Sequence, residues 1–168
     1  MSDFLEVYRL TRGRFEASLE GLSQAQLNFR INEGSLTIAE SALHVAGTET
    51  RFASFLLGKE LNETDQRLAD SALNGIMNEE PFPFTPDELT PEVVQANVAR
   101  GREWAERLIA SDSTETREKT TVIRNRELRS ILGPMINGEG ALVRMSAHPF
   151  YHLGQFEVIK RDPNFPSS

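Results

Sequence analysis

The sequence predicts an all-α fold, a four-helix bundle. Three observations carry this reading. Four segments repeat apolar residues at helical spacing. Two of them open on helix-start signals, Thr37 with Glu40 three residues later and Thr90 followed by Pro91. No segment reads clearly as sheet.

The first helix is expected from about Ser2 to Leu22. Phe4, Leu5, Tyr8, Phe15 and Leu19 recur on one face, and Gly21 marks the end. A polar connection follows, with a single turn expected at Ser23-Gln-Ala-Gln26. The second helix has the strongest start. Thr37 and Glu40 form a capping box just before Ile38, Ala39, Ala42, Leu43, Val45 and Ala46, and Gly58 stops the helix after Leu57.

The connection from residue 58 to 85 is long, with a short helix expected within Asp65 to Met77. Its end, Glu80-Pro-Phe-Pro-Phe-Thr-Pro86, is extended, because each proline drives its predecessor out of the helical region. Helix starts are signalled at Thr85-Pro-Asp-Glu88 and at Thr90-Pro-Glu92. The third helix spans about Pro91 to Ala110, with Val94, Val98, Trp104, Leu108 and Ile109 as its apolar face. Residues 111 to 138 are hard to read. Thr120-Thr-Val-Ile-Arg124 suits a short extended piece, and Gly133-Pro134 and Asn137-Gly138 are turns. The fourth helix runs from about Glu139 to Lys160. The long crossover between helices two and three permits those neighbours to pack in parallel, unlike a simple up-and-down chain.

The chain of 168 residues is read as one domain over 1–168. Its net charge of −7 argues against a partner held by phosphate neutralisation, so no nucleic acid is expected. There is no cysteine, which excludes a disulfide scaffold, thiolate ligands and a cysteine nucleophile. No basic start with an apolar core opens the sequence, and no apolar run approaches ~18 residues. A cytoplasmic protein without a membrane span is therefore expected.

The chemistry lies in three histidines. Two stand four residues apart in Met145-Ser-Ala-His148-Pro-Phe-Tyr-His152-Leu-Gly-Gln155, and the third is His44. Residues at i and i+4 share a helix face, so two imidazoles can close on one ion. Random placement gives such a pair only about 3% of the time, which makes it a signal worth pursuing. Leu142, Met145, His148, His152, Gln155 and Ile159 follow one stripe, so both histidines point into the bundle. Three histidine ligands leave a coordination position open, the layout of a catalytic rather than a structural site. The competing reading is that the pair is core. His44 lies off the centre of the Ile38, Ala42, Phe52 and Leu56 stripe, on a face with Thr37, Ser41, Thr48 and Phe55. That face walls a cleft or forms a solvated flank, and spacing leaves both open. Pro149 removes one helical hydrogen bond and should kink the helix between the two histidines. It also occupies the place where the zinc-protease pattern requires glutamate.

Leu36-Thr-Ile-Ala-Glu40-Ser-Ala-Leu-His44-Val-Ala-Gly-Thr-Glu49, together with His148-x-x-Tyr-His152-Leu-Gly-Gln155, resembles the DinB/YfiT-like superfamily. The resemblance covers the whole chain in helix order and is specific chiefly in these two segments. It implies an up-down-down-up four-helix bundle, often a homodimer. It further implies a divalent metal ion (zinc, nickel, manganese or iron) on His44, His148 and His152. Pro149 departs from the family pattern. Relatives include metal-dependent transferases and isomerases that use low-molecular-weight thiols.

The function expected is accordingly a metal-dependent enzyme that activates a thiol or a water against a small-molecule substrate, as a transferase or a hydrolase. Glu40, one turn before His44, and Gln155, after His152, are candidates to orient the imidazoles. The alternative is a non-catalytic small-molecule-binding or stress-related bundle. Phe82 and Phe84 in the proline-braced crossover offer apolar surface that a second copy would cover by helix-face packing, or that folds back on its own bundle.

Overall fold

The computed structural model describes residues 4–123, 129–130 and 133–167. The elements are α1 (Phe4–Ala17), α2 (Gln24–Leu27), α3 (Ile38–Leu57), α4 (Glu63–Asp70), α5 (Pro91–Ala110), α6 (Thr114–Glu118), β1 (Thr120–Val122), β2 (Met135–Asn137) and α7 (Gly138–Ile159). The fold is all-α, with one small hairpin. The expected helix start at Ser2 and the end of the extended piece at Arg124 lie outside the described residues.

The capping signals act as the sequence implies. Thr37 Oγ1 accepts from the Glu40 amide at 3.1 Å, while Glu40 Oε2 accepts from the Thr37 amide at 2.8 Å. The helix closes on Gly58 in the left-handed region, at φ 61°. Thr90 caps α5 with Pro91 in its first turn. Asn137 caps α7, its Oδ1 accepting from the Gly140 amide at 2.9 Å. By contrast, Thr85-Pro-Asp-Glu88 forms only a turn, in which the Glu88 carboxylate accepts the Thr85 amide at 2.8 Å.

The first helix ends earlier than expected, at Ala17. Beyond it the chain tightens into three-residue turns as far as Leu22, with Leu19 N bonded to Glu16 O and Leu22 N to Leu19 O. The hairpin within residues 111–138 was not anticipated. Thr121 pairs with Ile136 in an antiparallel register that continues straight into α7. The apolar and hydroxyl residues here are too few to show a period.

The helix directions follow from the core. Ile38, Ala42 and Ala46 of α3 pack with Val94 and Val98 of α5 at one end, and Ala53 and Leu56 pack with Trp104, Ala105 and Leu108 at the other. Those two helices are therefore parallel. Tyr8 meets Leu142 and Met145, whereas Phe15 meets Phe156 at 5.3 Å, so α1 and α7 are parallel as well. Tyr8 of α1 also reaches Glu49 of α3, while Phe15 lies with Ile38, so α1 opposes α3. The order is up-down-down-up. A Cβ on Gly101 would fall 2.6 Å from Ala46 Cα, which shows how closely α3 and α5 approach.

A charged cluster sits between α1, α3 and α5. Arg12 and Glu49 are each 1% exposed and lie 3.1 Å apart. Tyr8 donates to Glu49 at 3.1 Å, and Arg12 donates to the Val98 carbonyl at 2.6 Å. The sequence reading took Tyr8 as an apolar helix residue and did not identify this cluster.

The crossover folds back on its own bundle. Phe84 is buried in the core, Phe82 packs beside it, and the Arg67 guanidinium lies 4.0 Å from the Phe84 ring centre. Arg67 also holds the Pro83 carbonyl and the Glu88 carboxylate, each at 2.7 Å. The two phenylalanines are thus lid residues and give no reason for a second copy. Among the described residues, no helix is long and apolar enough to cross a membrane.

Candidate metal centre

His44 sits in the first half of α3 and is 3% exposed. Of the two readings open for its face, the cleft wall is the one observed. Its position depends on the turn after α4. A Cβ on Gly47 would lie 2.3 Å from the Leu68 carbonyl oxygen, so only glycine lets the last turn of α4 press onto α3 here. That approach brings the Ser71 carbonyl to 3.4 Å from His44 Nδ1. A carbonyl can only accept, so the proton belongs on Nδ1 and the Nε2 lone pair is free.

His148 and His152 lie on the inner face of α7, both buried. The helix runs unbroken from Gly138 to Ile159 through Pro149. Beside it the Thr11 hydroxyl of α1 donates to the Ser146 carbonyl at 2.7 Å. The two Nε2 atoms are 3.1 Å apart. The His44 ring centre is 4.9 Å from that of His148 and 5.2 Å from that of His152, all three rings being nearly perpendicular.

The donor set fits a divalent cation. One nitrogen from each ring lies within 4.8 Å of the others. Burial holds all three imidazoles neutral. His44 falls to about 4 and His152 to about 3, while His148, also beside the other two rings, falls well below its ordinary value. Neutral imidazoles keep their lone pairs at pH 7, as coordination requires. The Nδ1 atoms of His148 and His152 are buried without a hydrogen-bond partner. Two buried Nε2 atoms 3.1 Å apart are an arrangement that one shared ion would satisfy, each giving its lone pair to the ion.

The remaining candidates divide. Gln155 lines the cavity beside the histidines and bears on His152, partly offsetting the effect of burial, although His152 Nδ1 has no hydrogen bond of good geometry. Glu40 is not brought to the site. Besides its cap, its Oε1 pairs with Arg30 at 2.6 Å, so both oxygens are occupied at the start of the helix. Tyr151 stacks edge-on to His152 at 5.0 Å.

Two cavities meet at the histidines. One, of about 1080 Å³, reaches all three rings between the β2 hairpin strand and α7. The other, of about 530 Å³, reaches His44 and runs between α3, α4 and the hairpin. Met77, Ile136 and Arg144 line both. Arg144 is a residue the sequence reading missed. Its signal was present, since Arg144, His148 and His152 are successive i,i+4 neighbours.

No curated protein matches this chain. The model of the DinB superfamily matches residues 8–156, a span that includes all three histidines and the two segments flanking them. The chain belongs to the DinB superfamily.

Proposed function

We propose that His44, His148 and His152 hold one divalent metal ion, and that the protein is an enzyme acting on a small molecule bound in the adjoining cavities. The observation that supports this is the convergence of three neutral, buried imidazole nitrogens within 4.8 Å at the floor of an open cavity. When bound, the ion supplies Lewis acidity, which makes a thiol or water nucleophilic near neutral pH. The protein's own part is orientation and binding. Ser71 fixes the His44 tautomer, and the packing of α1 on α7 sets the histidine pair. The walls, including Leu36, Ile76, Met77 and Ile136, present much apolar surface, which suits a substrate with an apolar body. The chain lacks cysteine, which suits a low-molecular-weight thiol as the source of a reacting sulfur, with transfer to an electrophile as the reaction; hydrolysis is the second reading.

We also propose a homodimer formed by α1 and α7. Leu10 is 64% exposed and Val158 65%, and Val7, Val143 and Phe150 are exposed on the same two adjacent helices.

Metal analysis of untagged protein tests the site. One divalent ion per chain, lost in His152→Ala, is the expected result. Metal-free protein that takes up none on addition of zinc, nickel, manganese or iron would refute it. Turnover of thiol and electrophile pairs by metal-loaded but not chelated protein tests the activity.

A further inference from the structure

Among the described residues, Arg144 carries a positive charge that no carboxylate neutralises. It is half-buried on α7, one turn before His148, and it lines both cavities. Among the described residues no carboxylate pairs with it and no acceptor bonds it. Glu139, on the same wall, pairs instead with Arg117 at 3.6 Å. Arg144 lines the same cavity as all three histidines. Buried guanidinium groups are ordinarily paired, because five donors out of water cost free energy unless acceptors replace it. The cavity that Arg144 lines also presents apolar side chains, Ile136, Met77 and Val143 among them.

We propose that Arg144 is the anion anchor of the substrate site, and that the substrate is a monoanion with an apolar body, its carboxylate held by the guanidinium and its reacting centre turned to the histidines. Among the described residues that line the larger cavity, Arg144 is the one lysine or arginine, which matches one negative charge, and a planar fork matches a carboxylate in bidentate fashion. The cavities have room for more than the carboxylate. The inference rests on the histidines as the reacting centre, but the anchor can be tested apart from the metal.

The test compares octanoate with octanamide, which share a chain and differ in charge. Binding is followed by NMR titration of the full chain, zinc-loaded and chelator-treated. Octanoate should bind more tightly in both states. Arg144→Met should lower octanoate affinity about tenfold or more, leave octanamide unchanged and leave zinc content unchanged. Arg144→Lys should keep part of the preference. Equal binding of the two probes by the wild type overturns the inference. So does a preference that survives Arg144→Met in the zinc form and disappears on chelation, since the metal would then hold the anion. If no zinc binds but the preference still depends on Arg144, the anchor stands and the metal reading falls. Should Arg144→Met fail to fold, the Arg144 Nε–H resonance of the wild type decides. Its movement on adding octanoate supports the anchor, and its indifference removes it.

Discussion

Arg12 and Glu49 face each other at 3.1 Å with almost no solvent contact, joining α1 to α3. Burial drives the Glu49 carboxyl up to about 7 against the pull of Arg12. Removing one partner strands the other charge. Arg12→Met should therefore destabilise the fold by about 3–5 kcal/mol, measured by urea unfolding. Arg12→Met with Glu49→Leu should cost less than Arg12→Met alone. A double variant that loses as much as the two singles summed would show that the pair is not coupled.

Metal binding should raise stability by mass action, by about 2.7 kcal/mol when free metal is a hundred times Kd. Chelation should lower the melting temperature of the wild type and leave His152→Ala unchanged. Identical melting curves for wild-type protein with and without bound metal would contradict this.

Acid should weaken the metal-free protein through its histidines. Their folded values, about 4 for His44 and about 3 for His152, lie below the unfolded 6.5. The unfolded chain therefore binds more protons below pH 6.5, and stability falls as pH drops from there toward 4. Glu49 acts in the opposite sense. Its folded value of about 7 exceeds the unfolded 4.5, so its contribution declines as pH rises through that window. Replacing His44 and His152 by Gln should flatten the loss between pH 6.5 and 4.5. Parallel pH profiles for the two proteins would rule out the histidines as its source.

Gly47→Ala should damage the site from a distance. The new Cβ would meet the Leu68 carbonyl, pushing α4 away and taking the Ser71 oxygen from His44. The expected effect is about 1–3 kcal/mol of stability and a 10–100-fold weaker zinc affinity by competition titration. Unaltered affinity in a folded variant would mean that Ser71 does not orient the ring.

Sedimentation at micromolar concentration should give twice 18.9 kDa for the wild type and one chain for Phe150→Glu. Phe150 lies beside Arg14 of α1, 45% exposed, and should occupy the centre of the interface. A wild type that sediments as one chain removes the dimer.

Long periodic segments with caps were legible in the sequence. Thr37, Glu40 and Gly58 bound α3, and Thr90 and Pro91 start α5, because these signals act within one turn. The end of α1 was not legible, since the turns that replace its last part keep Leu19 buried and leave the apolar spacing intact. The histidine pair was legible because both members lie on one helix. The side of α3 on which His44 would be covered was not. That depends on Gly47 and on the chain beyond α4, which no local pattern encodes. Arg12 and Glu49 look like ordinary surface charges in sequence, and only the packing of three helices shows that they are buried.

The two parallel pairs, α3 with α5 and α1 with α7, meet along a seam, and the histidines straddle it. His44 belongs to one pair, and His148 and His152 to the other. A shared ion would be a detachable clasp across that seam. It would join positions more than a hundred residues apart and so restrict the unfolded chain as a cross-link does. The buried Arg12–Glu49 pair crosses the same seam, so the ion would add to a contact that already joins the halves. Occupancy would then measure whether the halves are closed, and hydrogen exchange along the inner faces of α3 and α7 should quicken together when the ion is withdrawn.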